Sequence, residues 1–179
     1  DFLLAPLLEW DAYRTLQQAA QARRLALAHG MADAHKPHLA AALSRDLSRP
    51  LLFVVATDQQ ASRLHSDLTQ LCGDGVYLLP PRELNFYQAA AASREVQHRR
   101  VETLQAIATH QAVAVVASAD ALMHRLMPID SFKKSGLTLE LGQRVEPRTL
   151  LERLIRAGYE RVERVDMKGQ CALRGGILD

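Results

Sequence analysis

The sequence predicts an α/β fold in which helices cover a parallel sheet. Three short apolar runs, residues 51–56, 76–79 and 112–117, are separated by segments whose apolar residues recur at helical spacing. This order of strands and helices is typical of parallel sheets. After Pro128 the pattern changes to an alternating segment and shorter elements, which predicts part of a small α+β domain. We therefore expect two domains, residues 1–128 and residues 129–179.

Length and composition describe an ordinary globular chain. It has 179 residues, 48% of them hydrophobic, with 22 Lys and Arg against 20 Asp and Glu. No apolar run reaches the roughly 18 residues that span a bilayer, and the start lacks the basic region of a signal peptide. Two cysteines in no metal-type spacing favour a reducing compartment. We expect a soluble cytoplasmic protein without a membrane partner. The apolar ending and the missing initial Met indicate a piece of a longer protein.

Two helices are predicted before the first strand. Apolar residues recur at helical spacing from Leu7 to Ala28, and Gly30 should end this first helix. The second helix should follow Pro37, which suits a first helical turn, and should continue to Leu47.

The run 51–56 predicts a central strand that is covered on both faces, because it is apolar without interruption. Thr57 and Gln60 fit a capping box, which predicts a helix from this point through Leu71.

Glycines and prolines bound the second predicted strand. Residues 73–75 should turn the chain into the strand 76–79, which Pro80 and Pro81 end. Residues 82–92 follow as a predicted loop that contains the aromatic pair Phe86 and Tyr87.

A long helix should connect the second strand to the third. Ser93 is its predicted N-cap and Thr109 its approximate end. The residues expected on its buried side are Val96, Val101, Leu104 and Ile107. After the strand 112–117, Ser118 should cap a short helix over 121–126.

The second domain is predicted from weaker signals. Residues 133–136 should form a loop, and residues 137–141 alternate between apolar and polar as a half-exposed strand does. Glu146 and Pro147 should begin a helix that ends at Gly158. Two short strands are expected over 159–165 and 170–174, followed by an apolar stretch without a turn.

One segment partly fits a phosphate-binding loop. Gly30 and Lys36 stand at the offsets of the first Gly and the Lys in G-x-x-x-x-G-K-[ST]. His35 replaces the second Gly, and Pro37 replaces the hydroxyl residue and removes an N–H group. We interpret this loop as degenerate and assign no cofactor to the chain. Residual nucleotide binding is the alternative interpretation.

Catalytic and metal-binding motifs are not apparent, because no His has a metal-type spacing and no Ser lies in a nucleophile elbow. Arginine is the more informative residue, since several lie late in the chain: Arg144, Arg148, Arg153, Arg156, Arg161, Arg164 and Arg174. Alternate residues of a strand would present some of them on one exposed face. Guanidinium groups suit carboxylate or phosphate recognition. A solvated surface is the other interpretation.

Several blocks in order resemble one family. These are residues 49–55 (RPLLFVV), 79–87 (LPPRELNFY), 113–122 (VAVVASADAL) and 157–179, which ends in LRGGILD. Together they resemble the amino-terminal module of bacterial transcription-repair coupling factors (Mfd), which is itself similar to the nucleotide-excision-repair protein UvrB. The likeness covers essentially the whole chain.

The resemblance implies a RecA-like domain interrupted by a small inserted α+β domain that binds UvrA. It implies a DNA-repair function in which the coupling factor recruits UvrA to stalled RNA polymerase. The full-length protein resembles an ATP-dependent DNA translocase that uses ATP and Mg²⁺ and binds double-stranded DNA. This module is expected to be a protein-binding and regulatory scaffold without its own ATPase activity. One alternative is an active UvrB-type ATP-dependent DNA-processing domain. The other is a module that mainly holds the motor inactive by packing against other domains.

The resemblance also implies the binding residues. UvrB has the pattern R, six residues, R-G-x-x-R-x-R-G, onto which Arg161, Lys168 and Arg174 fall. Ala172 replaces one arginine of the pattern, and Lys168 keeps a positive charge without the forked geometry of Arg. Further UvrA-contacting residues of the family lie beyond Asp179. UvrB's Tyr-rich DNA hairpin is not matched, so damage verification is not implied.

Overall fold

The structure is a computed structural model that describes Leu7, residues 9–82 and residues 90–179, with the backbone alone for residues 90–94. The predicted loop around Phe86 and Tyr87 therefore lies outside the described residues. The chain divides into two compact units, Asp1–Arg125 and Leu126–Asp179.

The helices and strands of the first unit are α1 (Asp11–Gln21), α2 (His35–Leu47), β1 (Leu51–Val55), α3 (Asp58–Cys72), β2 (Val76–Leu79), α4 (Ala90–Ala108), β3 (Ala114–Ser118) and α5 (Ala119–Met123). Those of the second unit are α6 (Ile129–Ser135), α7 (Pro147–Arg156), β4 (Glu160–Arg161), β5 (Gln170–Cys171), β6 (Leu173–Arg174) and β7 (Ile177–Leu178).

A three-stranded parallel sheet with the order β1-β3-β2 organises the first unit. The prediction of a parallel sheet covered by helices is confirmed. The prediction that residues 51–56 form the central strand is wrong, because β3 is central and all five of its residues are buried. Leu52 and Val54 of β1 are 61% and 52% exposed, so one face of β1 is not covered by described residues.

Two apolar clusters lie on opposite faces of β3, because successive residues of a strand point to opposite sides. Val116 joins the larger cluster, in which α1, α2 and α3 pack together. Its buried members are Tyr13, Leu39, Ala41, Ala42, Ala61, Leu64, Leu68 and Val116. Leu79, Val115, Ala117 and Ala121 form the smaller cluster.

The first helix is shorter than the predicted 7–28, because it closes in a motif that has no glycine. The amide of Arg23 bonds to the carbonyl of Ala20 (3.2 Å), and the amide of Arg24 bonds to the carbonyl of Ala19 (2.8 Å). This pair of bonds is a Schellman motif, in which one residue adopts a left-handed conformation. Arg23 takes that position at φ 55°. Gly30 therefore does not end α1.

The predicted capping signals have mixed outcomes. Thr57 and Gln60 form both hydrogen bonds of the capping box, and Ser118 accepts a hydrogen bond from the amide of Ala121. The second helix begins at His35, two residues before Pro37. Ser93 is not an N-cap, because α4 already begins at Ala90.

The predicted buried side of helix α4 is correct only in part, since Val96 and Leu104 are half-buried. Val101 and Ile107 are 54% and 39% exposed, whereas Arg100, Thr103 and Ala106 are buried. Thr103 Oγ1 lies 2.9 Å from the carbonyl oxygens of Leu78 and Arg99. A backbone carbonyl in the interior needs a hydrogen-bond donor. Polar side chains of α4 therefore occupy buried positions, although a prediction from apolar residues alone would place them in solvent.

The second unit departs most from prediction. Residues 129–135 form helix α6 where a loop was expected over 133–136, and residues 137–141 form no strand. Helix α7 begins as predicted, with Pro147 as its first residue and the Glu146 carboxylate accepting a hydrogen bond from the Thr149 amide (2.6 Å). The expected strand 159–165 shortens to β4.

The apolar ending contains a turn that was not predicted. Strands β6 and β7 pair antiparallel as a hairpin with Leu173 opposite Leu178 and Arg174 opposite Ile177. Gly175 and Gly176 form the two-residue loop, with Gly175 at φ 61°. Such loops need a positive φ, which glycine adopts without strain.

Replacing Tyr13 with Phe should destabilise the first unit by about 2 kcal/mol, because a hydrogen bond to the partly buried carboxylate of Asp46 is lost. The phenol of Tyr13 is 1% exposed and donates to Asp46 Oδ2 at 2.6 Å. Burial first, and then the hydrogen bond to Asp46, raise the pKa of Tyr13 above its ordinary value of 10.0.

The folded chain therefore keeps this proton at a pH at which the unfolded chain releases it. The stabilisation is complete below about pH 10 and is lost as the pH rises further. Urea unfolding of the parent and of Tyr13→Phe at pH 8 and pH 11 measures this loss of stability. The Phe variant should lose less stability between the two values, and an equal loss would contradict the assignment.

Replacing Thr103 with Val should cost about 1 kcal/mol or more, because the partly buried carbonyl of Leu78 loses a donor. Thr109→Val is the matched control, since Thr109 makes the same hydrogen bond four residues back, to Gln105 (2.9 Å), at an exposed position. Urea unfolding compares the two variants. Equal effects would show that the contact with Leu78 contributes nothing.

Candidate functional site

Arg161 lies on a short parallel strand pair in the second unit. Strand β4 pairs with β5, with Glu160 opposite Gln170 and Arg161 opposite Cys171. Cys171 is 1% exposed, whereas Arg161 is exposed. The buried Cys171 thus belongs to the interior of this unit, and Arg161 lies at its surface.

Lys168 lies in a turn that the side chain and the backbone amide of Gln170 hold, the amide by a hydrogen bond to the carbonyl of Met167 (3.4 Å). Gln170 Oε1 accepts hydrogen bonds from the amides of Asp166 (3.0 Å) and Met167 (3.3 Å). Gly169 follows at φ 88°, and its carbonyl accepts a hydrogen bond from the amide of Glu160 (2.9 Å). The turn joins the start of β5 to β4, so Lys168 is exposed beside the strand pair that carries Arg161.

Arg174 lies on the β6–β7 hairpin, immediately after β5. Its guanidinium donates to Asp179 Oδ2 at 2.6 Å, and the two side chains are 62% and 37% exposed. The backbone of Asp179 is fixed as well, by reciprocal hydrogen bonds with Ala172 of 2.9 and 3.1 Å. Asp179 therefore holds Arg174 in one orientation while much of its guanidinium remains in solvent.

The structure thus brings Arg161, Lys168 and Arg174 to the surface of consecutive, hydrogen-bonded elements. The position at which UvrB has another arginine differs, because Ala172 is 0% exposed and lies in the interior. The structure does not form the long strand that would align many arginines. Arg164 lies beyond β4 and pairs instead with Asp166 at 3.9 Å.

Charge and geometry indicate what these three residues can bind. Arg161 and Lys168 have no ion pair with a carboxylate of the described residues, and Arg174 has one exposed partner. Two guanidiniums and one ammonium provide forked and single donors to carboxylates or phosphates. Such a group of donors suits recognition of an acidic surface.

Sequence reasoning missed Asp179 as part of this site. Its partnership with Arg174 follows from the hairpin, because the two-residue loop sets Arg174 opposite Ile177 and places Asp179 just beyond the paired residues. The signal was present in the adjacent glycines, which favour a tight hairpin loop.

The degenerate phosphate loop has a local partner for its lysine. Lys36 Nζ lies 2.6 Å from Asp33 Oδ1, and Lys36 lowers the pKa of that carboxyl by its hydrogen bond and then by its charge. Gly30 has φ 76°, and His35 and Lys36 occupy the first turn of α2. No strand precedes this loop among the described residues, whereas a working phosphate loop follows one.

Comparison with known proteins agrees with the family resemblance. Residues 137–179 match the UvrB interaction domain. The chain is 31% identical over 151 residues to the transcription-repair-coupling factor of Bacillus subtilis, an alignment that covers 84% of this chain and 13% of the relative. The Staphylococcus epidermidis factor is 29% identical over 132 residues, or 73% of this chain and 11% of the relative.

A third relative, the transcription-repair-coupling factor of Staphylococcus aureus, is 25% identical over 154 residues, which are 86% of this chain and 13% of the relative. The resemblance predicted from the sequence is confirmed. The chain spans 11% to 13% of the length of these curated relatives.

In the described part of the chain, no helix has both the length and the apolar composition to cross a membrane.

A fluorescent ATP analogue should show no saturable binding at micromolar concentrations, because Asp33 holds the lysine and brings a negative charge to the loop. Fluorescence anisotropy of the chain measures this binding, with Lys36→Ala compared with Lys134→Ala. Lys134 is a suitable control because it is an exposed lysine of α6, outside the loop. Micromolar saturation that Lys36→Ala abolishes and Lys134→Ala preserves would show that the loop still binds nucleotide.

Proposed function

We propose that this chain, which resembles the transcription-repair-coupling factors and carries a UvrB interaction domain at residues 137–179, is a protein-binding module that recruits UvrA. The observation that carries the proposal is the exposure of Arg161, Lys168 and Arg174 on consecutive elements inside that domain. The module serves DNA repair as a scaffold and has no ATPase activity of its own.

The domain organisation follows the same proposal. The first unit corresponds to a RecA-like domain and the second to part of an inserted UvrA-binding domain. In the full-length protein, the remaining regions supply the ATP- and Mg²⁺-dependent translocase and bind RNA polymerase and double-stranded DNA. The contact between Asp33 and Lys36 supports a scaffold role for the first unit, because it occupies the lysine that phosphate would need.

The proposed interface depends on charge and on preorganisation. A partner surface that presents carboxylates would meet Arg161 and Lys168, which form no ion pair with a described carboxylate. Arg174 is already oriented by Asp179, so less side-chain entropy is lost when a second acceptor binds its remaining donors. A forked guanidinium can contact Asp179 and a partner carboxylate together.

Arg174→Ala should weaken UvrA binding by about 2 kcal/mol, roughly thirtyfold in Kd, because a charge-assisted contact is lost from the interface. Arg156→Ala is the matched control, since Arg156 is also ion-paired, to Glu152 at 4.0 Å, but lies on α7 outside the proposed site. Isothermal titration of UvrA with the three proteins measures the difference.

Arg174→Lys refines the test, because it keeps the charge and loses the forked geometry. Unfolding curves should show that all variants are folded. If the parent binds UvrA and Arg174→Ala binds with the same affinity, Arg174 has no role in the interface. If the folded parent does not bind UvrA, the proposed function itself is wrong.

A further inference from the structure

Arg100 of α4 is a buried cation in the first unit. Arg100 is only 9% exposed, and its guanidinium donates a hydrogen bond to the carbonyl of Pro80. Pro80 directly follows the last residue of β2, so this guanidinium lies at the carboxyl end of a parallel strand. Among the described residues, no carboxylate forms an ion pair with Arg100.

Arg82 is a second cation at the same place. It lies two residues after the carbonyl that Arg100 contacts, it is exposed, and no described carboxylate pairs with it. Burial first, and the positive charge of Arg82 second, lower the pKa of the Arg100 guanidinium from its ordinary value. Because Arg82 follows Pro80 by two residues, its charge lies on the segment that Arg100 contacts.

This arrangement is costly without a counter-charge. A neutral carbonyl satisfies one N–H group of Arg100 but leaves its charge uncompensated, and a buried charge without a partner is unfavourable. In open α/β sheets, ligands bind outside the carboxyl ends of the strands, where these two residues lie. An anion at this point would offset both the burial of Arg100 and the repulsion by Arg82.

We propose that Arg82 and Arg100 form an anion-binding site at the carboxyl end of β2 that takes a phosphate group, either free or in a nucleic-acid backbone. A phosphate carries enough oxygens and charge to accept hydrogen bonds from two guanidiniums together, whereas a single carboxylate matches one fork. The site consists of residues of the first unit, whereas the UvrA-binding residues proposed above belong to the second.

Helix α4 provides a matched control next to this site. Arg99 is adjacent to Arg100 in sequence, but it is exposed and already paired with Glu95 at 3.1 Å. Arg99→Gln therefore removes the same charge from the same helix without touching the proposed site. Arg82→Gln removes an exposed member of the site and should leave the fold intact. Arg100→Gln also removes the contact with Pro80, so it is the secondary variant.

The experiment titrates the chain with pyrophosphate, and separately with a short single-stranded oligodeoxynucleotide, at low ionic strength by isothermal calorimetry. The parent and Arg99→Gln should bind with equal affinity, and Arg82→Gln should bind about tenfold or more weakly because one charge-assisted contact is lost. Urea unfolding confirms that each variant is folded.

The two probes distinguish the source of the phosphate. Binding of the oligodeoxynucleotide that depends on Arg82 identifies a nucleic-acid backbone, and Arg82-dependent binding of pyrophosphate alone identifies a free phosphate. Either result supports the site. If neither probe binds at millimolar concentration, or if Arg82→Gln and Arg99→Gln bind as the parent does, the proposal is overturned.

Discussion

The burial of β3 is the constraint on which the first unit depends. All five residues of this strand are buried, and its backbone pairs with β1 on one side and β2 on the other. A parallel strand needs cover on both faces and long crossover connections, which here contain α3 and α4. Two apolar clusters supply the cover, with Val116 in one and Val115 and Ala117 in the other.

The backbone carbonyls of an outer strand that do not bond within the sheet need other hydrogen-bond donors. For β2 these donors come from α4, since Thr103 donates to the carbonyl of Leu78 and Arg100 donates to the carbonyl of Pro80, just after the strand. The structural need for a donor thus places a guanidinium in the interior, and Arg82 follows on the same segment. Arg100 thus has two roles. It donates a hydrogen bond to the carbonyl of Pro80, and its positive charge belongs to the proposed anion site.

The second unit relies on turns more than on a large core. The Gln170 side chain holds the turn before β5, and the Gly175–Gly176 loop sets the pairing of β6 with β7. These local contacts bring Arg161, Lys168 and Arg174 to the surface of connected elements. A chain whose formal net charge is only +2 can therefore present a local group of cations, because charge is distributed by the fold and not by the total.

By itself, the sequence determined the three apolar strands, the capping box at Thr57, the N-cap at Ser118, the start of α7 and the family resemblance, because each depends on neighbouring residues. Tertiary structure decided the rest. Apolar runs alone do not show which of three similar strands is central. In the structure the central strand is β3 and not β1. The end of α1 near Arg23 and part of the buried side of α4 escaped prediction. Left-handed residues other than glycine leave no composition signal, and the sequence alone does not show that Arg100 meets the distant carbonyl of Pro80.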